Sequence, residues 1–153
     1  MNQPEILIVG AGGMGALFGS ILHENGLKVV LYDTNTEHIR AIQQAGLKIE
    51  GYGGDRTIPI AATSNLLELE SAEIIIFQCK SHGTRQAAKA AKPLITQERV
   101  CISFQNGLGN EEVMAEELGE DSVMGGLTAM AGVLLEPGKI RDFSRVPSKS
   151  GEM

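Results

Sequence analysis

The chain is poor in the features that would take it to a membrane, to nucleic acid or to a metal. Its apolar runs fall far short of the roughly 20 residues a bilayer span needs. Residues 1–5, "MNQPE", lack the basic start and apolar stretch of a secretory signal. Basic residues number 13 against 19 acidic ones, a net charge of −6, whereas a nucleic-acid surface calls for a basic stripe. There are two cysteines and three scattered histidines, with no Cys-x-x-Cys spacing, so no metal site is expected. Cys79 and Cys101 each lie in an apolar, strand-like run, and such thiols point to a reduced, cytoplasmic protein. No repeat, low-complexity run or internal linker breaks the 153 residues, which at 42% apolar and 21% charged read as one ordinary globular domain.

What is present is an alternation. "EILIVG" (5–10), "KVVLYD" (28–33), and residues 73–79 and 99–104 read as short strands; the unbroken run Ile74, Ile75, Ile76, Phe77 is the mark of a strand covered on both faces. Between them lie helical patterns. Residues 13–26 place Met14, Leu17, Phe18, Ile21 and Leu22 at helical spacing and stop at Asn25-Gly26. Residues 36–46 align Ile39, Ile42 and Ala45, and two further helices are expected around 83–92, closed by Pro93, and at 110–118. Residues 47–60 read as two short strands about a Gly-rich turn, and 123–143 as a strand followed by a hairpin turning at Glu136-Pro137-Gly138. This order predicts an α/β fold, a doubly wound parallel sheet with a C-terminal hairpin extension. Ligands of such sheets bind beyond the carboxyl ends of the strands.

"VGAGGMG" (9–15) sets Gly10, Gly12 and Gly15 in G-x-G-x-x-G spacing as the chain leaves its first strand and enters its first helix. In that context Gly10 permits the sharp turn, Gly12 lets backbone approach a pyrophosphate, and Gly15 lets helix press on strand. The helix N-terminus, with Gly13 and Met14, offers N–H groups to phosphate oxygens. Asp33 closes the second strand, where an acid would bind the adenosine ribose. Together these predict a dinucleotide site of the Rossmann type; a tight turn in a doubly wound domain that binds no dinucleotide is the plainer alternative.

Two further strand ends carry chemistry. Lys80 follows the 73–79 strand, and a lysine there has either reached solvent or met a partner, since an unpaired buried ammonium is costly. "ISFQNGLGNEE" (102–112) repeats the geometry: a strand runs into Gln105, Asn106 and Gly107, then a helix. Asn-Gly is often only a turn, yet a lysine and an amide at these ends would stand near the nicotinamide of a bound dinucleotide, as the donors a ketone or carboxylate substrate needs.

"ILIVGAGGMGALFG", "CKSHGT", "QNGLGNEE" and "GGLTAMAGVLLEPGKI" resemble the N-terminal domain of ketopantoate reductases (2-dehydropantoate 2-reductases) to about residue 145. The resemblance implies an NAD(P)-dependent oxidoreductase that reduces ketopantoate to pantoate, on the route to pantothenate and coenzyme A. It makes Lys80 and Asn106 the catalytic candidates, binding substrate and, with Gly107, cofactor ribose. It also places residues from Gly126 to Ala129 beside the nicotinamide pocket. The family's second, helical domain supplies a general-acid lysine and a substrate-holding glutamate; it is expected to be absent from this chain, with 1–145 the dinucleotide-binding domain and 146–153 a tail starting a linker. Such a chain alone would be catalytically incomplete. Family members mostly use NADP, but Asp33 favours NAD. The expected partners are a small 2-keto acid and, through apolar residues of the 123–140 segment (Leu127, Met130, Val133, Leu134), a second copy of the chain. The rival reading is a nucleotide-sensing regulatory module without catalysis, which explains Asp33 but not Lys80 followed by the 105–107 loop.

Overall fold

A computed structural model describes residues 3–95, 99–144 and 149–151. In chain order its elements are β1 (Ile6–Val9), α1 (Gly13–Glu24), β2 (Val29–Tyr32), α2 (Thr36–Ala45), β3 (Leu47–Gly51), β4 (Arg56–Ile58), β5 (Ala61–Thr63), β6 (Ile74–Phe77), α3 (Thr84–Ala91), β7 (Val100–Ser103), α4 (Asn110–Leu118), β8 (Val123–Leu127), β9 (Ala131–Glu136), β10 (Lys139–Ser144) and β11 (Lys149–Gly151). The main sheet has the order β11-β8-β7-β6-β1-β2-β5. Its neighbours pair in parallel except β11, which runs antiparallel to β8.

Both faces of this sheet are covered, which is why its strands read as apolar runs rather than alternations. Side chains of β1 point to opposite faces in turn. Ile6 and Ile8 join one core with Leu17 of α1, Ile39 and Ile42 of α2, and Ile49 and Ile140; Leu7 and Val9 join the other with Ile75, Phe77, Ala88 and Ala91 of α3, and Met114 of α4. The helices stop where expected: Asn25-Gly26 ends α1, and Gly46, at φ +77°, ends α2.

The expected hairpin is β9–β10, turning at Pro137-Gly138. It is not a free-standing extension. β10 pairs in parallel with β3, so the hairpin and the 47–58 segment form a second sheet of order β4-β3-β10-β9. Across this pairing Glu50 binds Lys139 at 2.7 Å and also Arg141, and these hydrogen bonds, Lys139's foremost, hold the Glu50 carboxyl below its usual range. Of the apolar residues expected to face outward, Leu127 and Val133 do, but Met130 and Leu134 pack against the core on the α1 side. Within the expected tail, residues 149–151 form β11 on the sheet edge, and 146–148, 152 and 153 lie outside the described residues.

Candidate functional site

The strand order reverses at β1. From β1 the chain proceeds outward through β2 and β5 on one side, and through β6, β7 and β8 on the other. Loops at the carboxyl ends of β1 and β6 therefore diverge around a crevice, the position where doubly wound sheets bind ligands. The glycine loop, Asp33, Lys80 and Asn106 all lie at this end.

The glycine loop is built by close approaches. Gly10, at φ +101°, lies so close to the Cys79 backbone that any side chain would overlap it, and a Cβ on Gly15 would overlap the Gly10 carbonyl. The N–H groups of Gly10 and Ala11 both donate to the Tyr32 carbonyl, at 2.9 and 3.1 Å, so the loop is tied to the end of β2 beside Asp33. Gly12 faces open space, with nothing within 4 Å of where a Cβ would stand. Gly13 and Met14 are engaged with the second sheet: Gly13 abuts the β9 backbone, and the Met14 sulfur accepts the Gly132 N–H at 3.1 Å. The N–H groups of the first turn of α1 lack intrahelical acceptors, as at any helix start. The arrangement fits a pyrophosphate approaching at Gly12.

One loop-holding residue was not legible as such. His38, 1% exposed, accepts the Gly138 N–H on Nδ1 at 2.9 Å, so its proton sits on Nε2, which donates to the Ala11 carbonyl at 2.8 Å. A single imidazole thus joins the glycine loop to the β9–β10 turn.

Asp33 is half-buried; its Oδ1 accepts the Asn35 N–H at 2.9 Å, and Asn35 in turn caps α2 by accepting the His38 N–H. Burial raises the Tyr32 phenol, and the neighbouring Asp33 charge raises it further.

Lys80 is exposed and makes no ion pair with any described residue. Its strand end thus comes to the surface at the crevice, with the ammonium unengaged by a described carboxylate. Its neighbour Cys79 is raised by burial, with the Asp33 charge adding to the effect. Asn106 is also exposed, at the start of a loop whose Gly107 and Gly109 have φ of +101° and +85°.

The Lys80 and Asn106 loops are joined. Ser81 Oγ donates to the Asn106 carbonyl at 3.1 Å, and Gln105 Nε2 donates to the Cys79 carbonyl at 2.7 Å. Gln105 Nε2 also donates to Thr84 Oγ1 at 2.8 Å, Thr84 donates to Asn110 Oδ1 at 3.0 Å, and Asn110 Nδ2 donates to the Asn106 carbonyl at 3.1 Å. Gly126 sits against the Phe104 ring, which packs on Phe18 with centroids 5.0 Å apart. Among the described residues, no group of three or more His, Cys, Asp or Glu could hold a metal ion, and no helix is long and apolar enough to cross a membrane.

A parallel sheet reversing at β1, a glycine turn into α1 and an acid ending β2 define a Rossmann-type α/β domain. Residues 6–153 match the family described as ketopantoate reductase PanE/ApbA, and the chain belongs to that family. It is 36% identical over 137 residues to a 2-dehydropantoate 2-reductase of Pyrococcus abyssi, an alignment covering 90% of this chain and 44% of that protein. The chain thus spans less than half the length of this relative. The crystal structure of 2-dehydropantoate 2-reductase from Geobacter metallireducens superposes with a TM-score of 0.88 at 28% identity, covering 96% of this chain and 48% of that one. The ternary structure of D-mandelate dehydrogenase with NADH and anilino(oxo)acetate gives 0.84 at 25% identity, covering 95% and 46%.

Proposed function

We propose that this chain is the nicotinamide-binding part of a 2-keto acid reductase whose substrate is ketopantoate and whose product is pantoate. The observation that carries the reading is the joining of the Lys80 and Asn106 loops beside the Gly10 turn: a cation and an amide, both exposed, held at the crevice. When bound, a reduced nicotinamide supplies the hydride. The chain's own residues bind and orient. Gly12 admits the pyrophosphate, and Asp33 Oδ2 accepts from adenosine ribose hydroxyls, which favours NAD over NADP. Lys80 offers ammonium donors to ribose and to an anionic substrate, and the Asn106 amide offers a donor where negative charge develops on the carbonyl oxygen. The resemblance implies that a proton donor and a second substrate clamp lie in the portion of the relatives that this chain does not cover.

Similarity to a dehydrogenase holding NADH and anilino(oxo)acetate supports a nicotinamide cofactor and a 2-keto acid substrate. A purely nucleotide-sensing module would leave Lys80 and Asn106 without a task. Both thiols are free, which suits a cytoplasmic setting. Exposed Leu127 and Val133 give self-association a surface, and light scattering that returns a monomer mass at high concentration would count against it.

The decisive experiment uses the 153-residue chain in fluorescence titrations with NADH and NADPH and in a steady-state ketopantoate assay. Binding with little turnover is expected, because general acid catalysis alone contributes roughly 10²–10⁴-fold. Failure to bind either dinucleotide, or turnover of ordinary dehydrogenase size, overturns the reading.

A further inference from the structure

We propose that the buried chain Gln105–Thr84–Asn110 is a positioning device that sets the Lys80 loop against the Asn106 loop; the inference rests on the roles just given to those two residues. Gln105, Thr84 and Asn110 are only 8%, 1% and 2% exposed, in a core where apolar side chains would also fill the space. Their donors and acceptors are matched in one direction. The Gln105 amide N–H groups go to the Cys79 carbonyl and Thr84 Oγ1 while its Oε1 accepts from Ser103 Oγ; Thr84 O–H goes to Asn110 Oδ1; Asn110 Nδ2 goes to the carbonyls of Asn106, at 3.1 Å, and Gly107, at 3.5 Å. The chain of bonds therefore starts on the backbone of the residue before Lys80 and ends on the backbone of Asn106.

A satisfied buried network is a device for fixing one arrangement, since a partly satisfied one is costlier than an apolar core. Apolar side chains would hold α3 against α4 equally well, but they would leave the Cys79, Asn106 and Gly107 carbonyls without these donors. What the polar network adds is the relative height of the two loops, and hence of the Lys80 ammonium and the Asn106 amide that end there. None of its hydrogen bonds reaches Gly10, Gly12 or Asp33; the glycine loop touches it only where Gly10 packs on the Cys79 backbone.

The test separates the two halves of the ligand. NADH spans the glycine loop and the Lys80–Asn106 end, whereas ADP reaches only the glycine loop and Asp33. Thr84→Val removes the central hydroxyl; Thr84→Ser restores it; Asn110→Asp keeps the acceptor for Thr84 but turns an oxygen toward the Asn106 and Gly107 carbonyls. Thr84→Ala cuts the same hydroxyl with less bulk, so it remains available if Thr84→Val does not fold. Thr84→Val and Asn110→Asp are expected to weaken NADH about tenfold, as for loss of one buried hydrogen bond, with ADP unchanged and Thr84→Ser close to the parent chain. NADH and ADP affinities that fall together, or NADH affinity unchanged in Asn110→Asp, overturn the proposal. A parent chain that binds ADP but not NADH overturns the functional reading beneath it instead.

Discussion

Gly13 and Gly132 meet backbone to backbone: a Cβ on Gly13 would stand 2.6 Å from the Gly132 carbonyl oxygen, and one on Gly132 would stand 2.8 Å from that of Gly13. The start of α1 is thereby pressed against β9, and the second sheet becomes part of the wall around the glycine loop. His38, bonded to both Ala11 and Gly138, holds the same two pieces together a few residues away.

The adjacent glycines 12 and 13 should consequently behave differently. Gly13→Ala forces backbone apart and should cost about 1–3 kcal/mol, as overpacking does. Gly12 has φ −62° and open space, so Gly12→Ala should leave stability within about 0.5 kcal/mol while weakening dinucleotide binding, because the methyl group occupies the approach of the pyrophosphate. Thermal melts and NADH titrations on both variants check the contrast; equal melting temperatures would show that β9 yields easily.

Lys80→Ala should weaken NADH or keto-acid binding with little effect on folding. Lys80 is exposed, and its carbonyl, not its side chain, accepts the Gly83 N–H at 2.8 Å. Loss of the side chain should therefore cost no more than about 0.5–1 kcal/mol, as at surface positions generally. A collapsed melt with unchanged affinity would make Lys80 structural.

Stability should fall above pH 9, and Cys101 should be part of the cause. Burial pushes its thiol up from 9.0 to about 12. A raised acid is neutral in the folded chain, so its contribution is fully present below pH 9 and is lost as pH climbs toward 12, when the unfolded chain alone releases the proton. The limiting slope for one such group is about 1.4 kcal/mol per pH unit. Cys79 and Tyr32, also raised, act in the same direction. Cys101→Ala should lower stability at neutral pH, through its cavity, yet flatten the alkaline decline. An unaltered slope from pH 9 to 11 would remove Cys101 as a contributor.

Much of this was legible in the sequence, and the exceptions share a cause. Runs such as Ile74–Phe77 revealed strands covered on both faces, and Gly10, Gly12 and Gly15 located the turn into α1. The pairing of β3 with β10 was not legible, because alternation specifies which face a residue takes but not which distant strand lies beside it. β5, only Ala61–Thr63, is too short and too weak in strand-forming residues to signal itself. His38, Thr84 and Asn110 read as ordinary helical polar residues. The partners of the His38 ring and of the Asn110 Nδ2 are backbone groups, which leave no mark in a sequence. Those of Thr84 are the side chains of Gln105 and Asn110, more than 20 residues away along the chain.

NAD should bind more tightly than NADP, and Asp33 is the residue that decides it. Its Oδ1 is engaged by the Asn35 N–H, which fixes the carboxylate at the end of β2 and leaves Oδ2 for the adenosine ribose. A 2′-phosphate there would face like charge, at a cost of several kcal/mol. Thr34, Asn35, Thr36 and Glu37 bring no positive charge to offset it, and Arg40, one turn further along α2, is exposed. Asp33→Asn keeps an oxygen for the Asn35 N–H and removes the repulsion, so it should narrow the preference without unfolding the chain. Paired titrations with NADH and NADPH on both proteins measure this. Tighter NADPH binding by the parent chain would mean that the carboxylate does not meet the ribose.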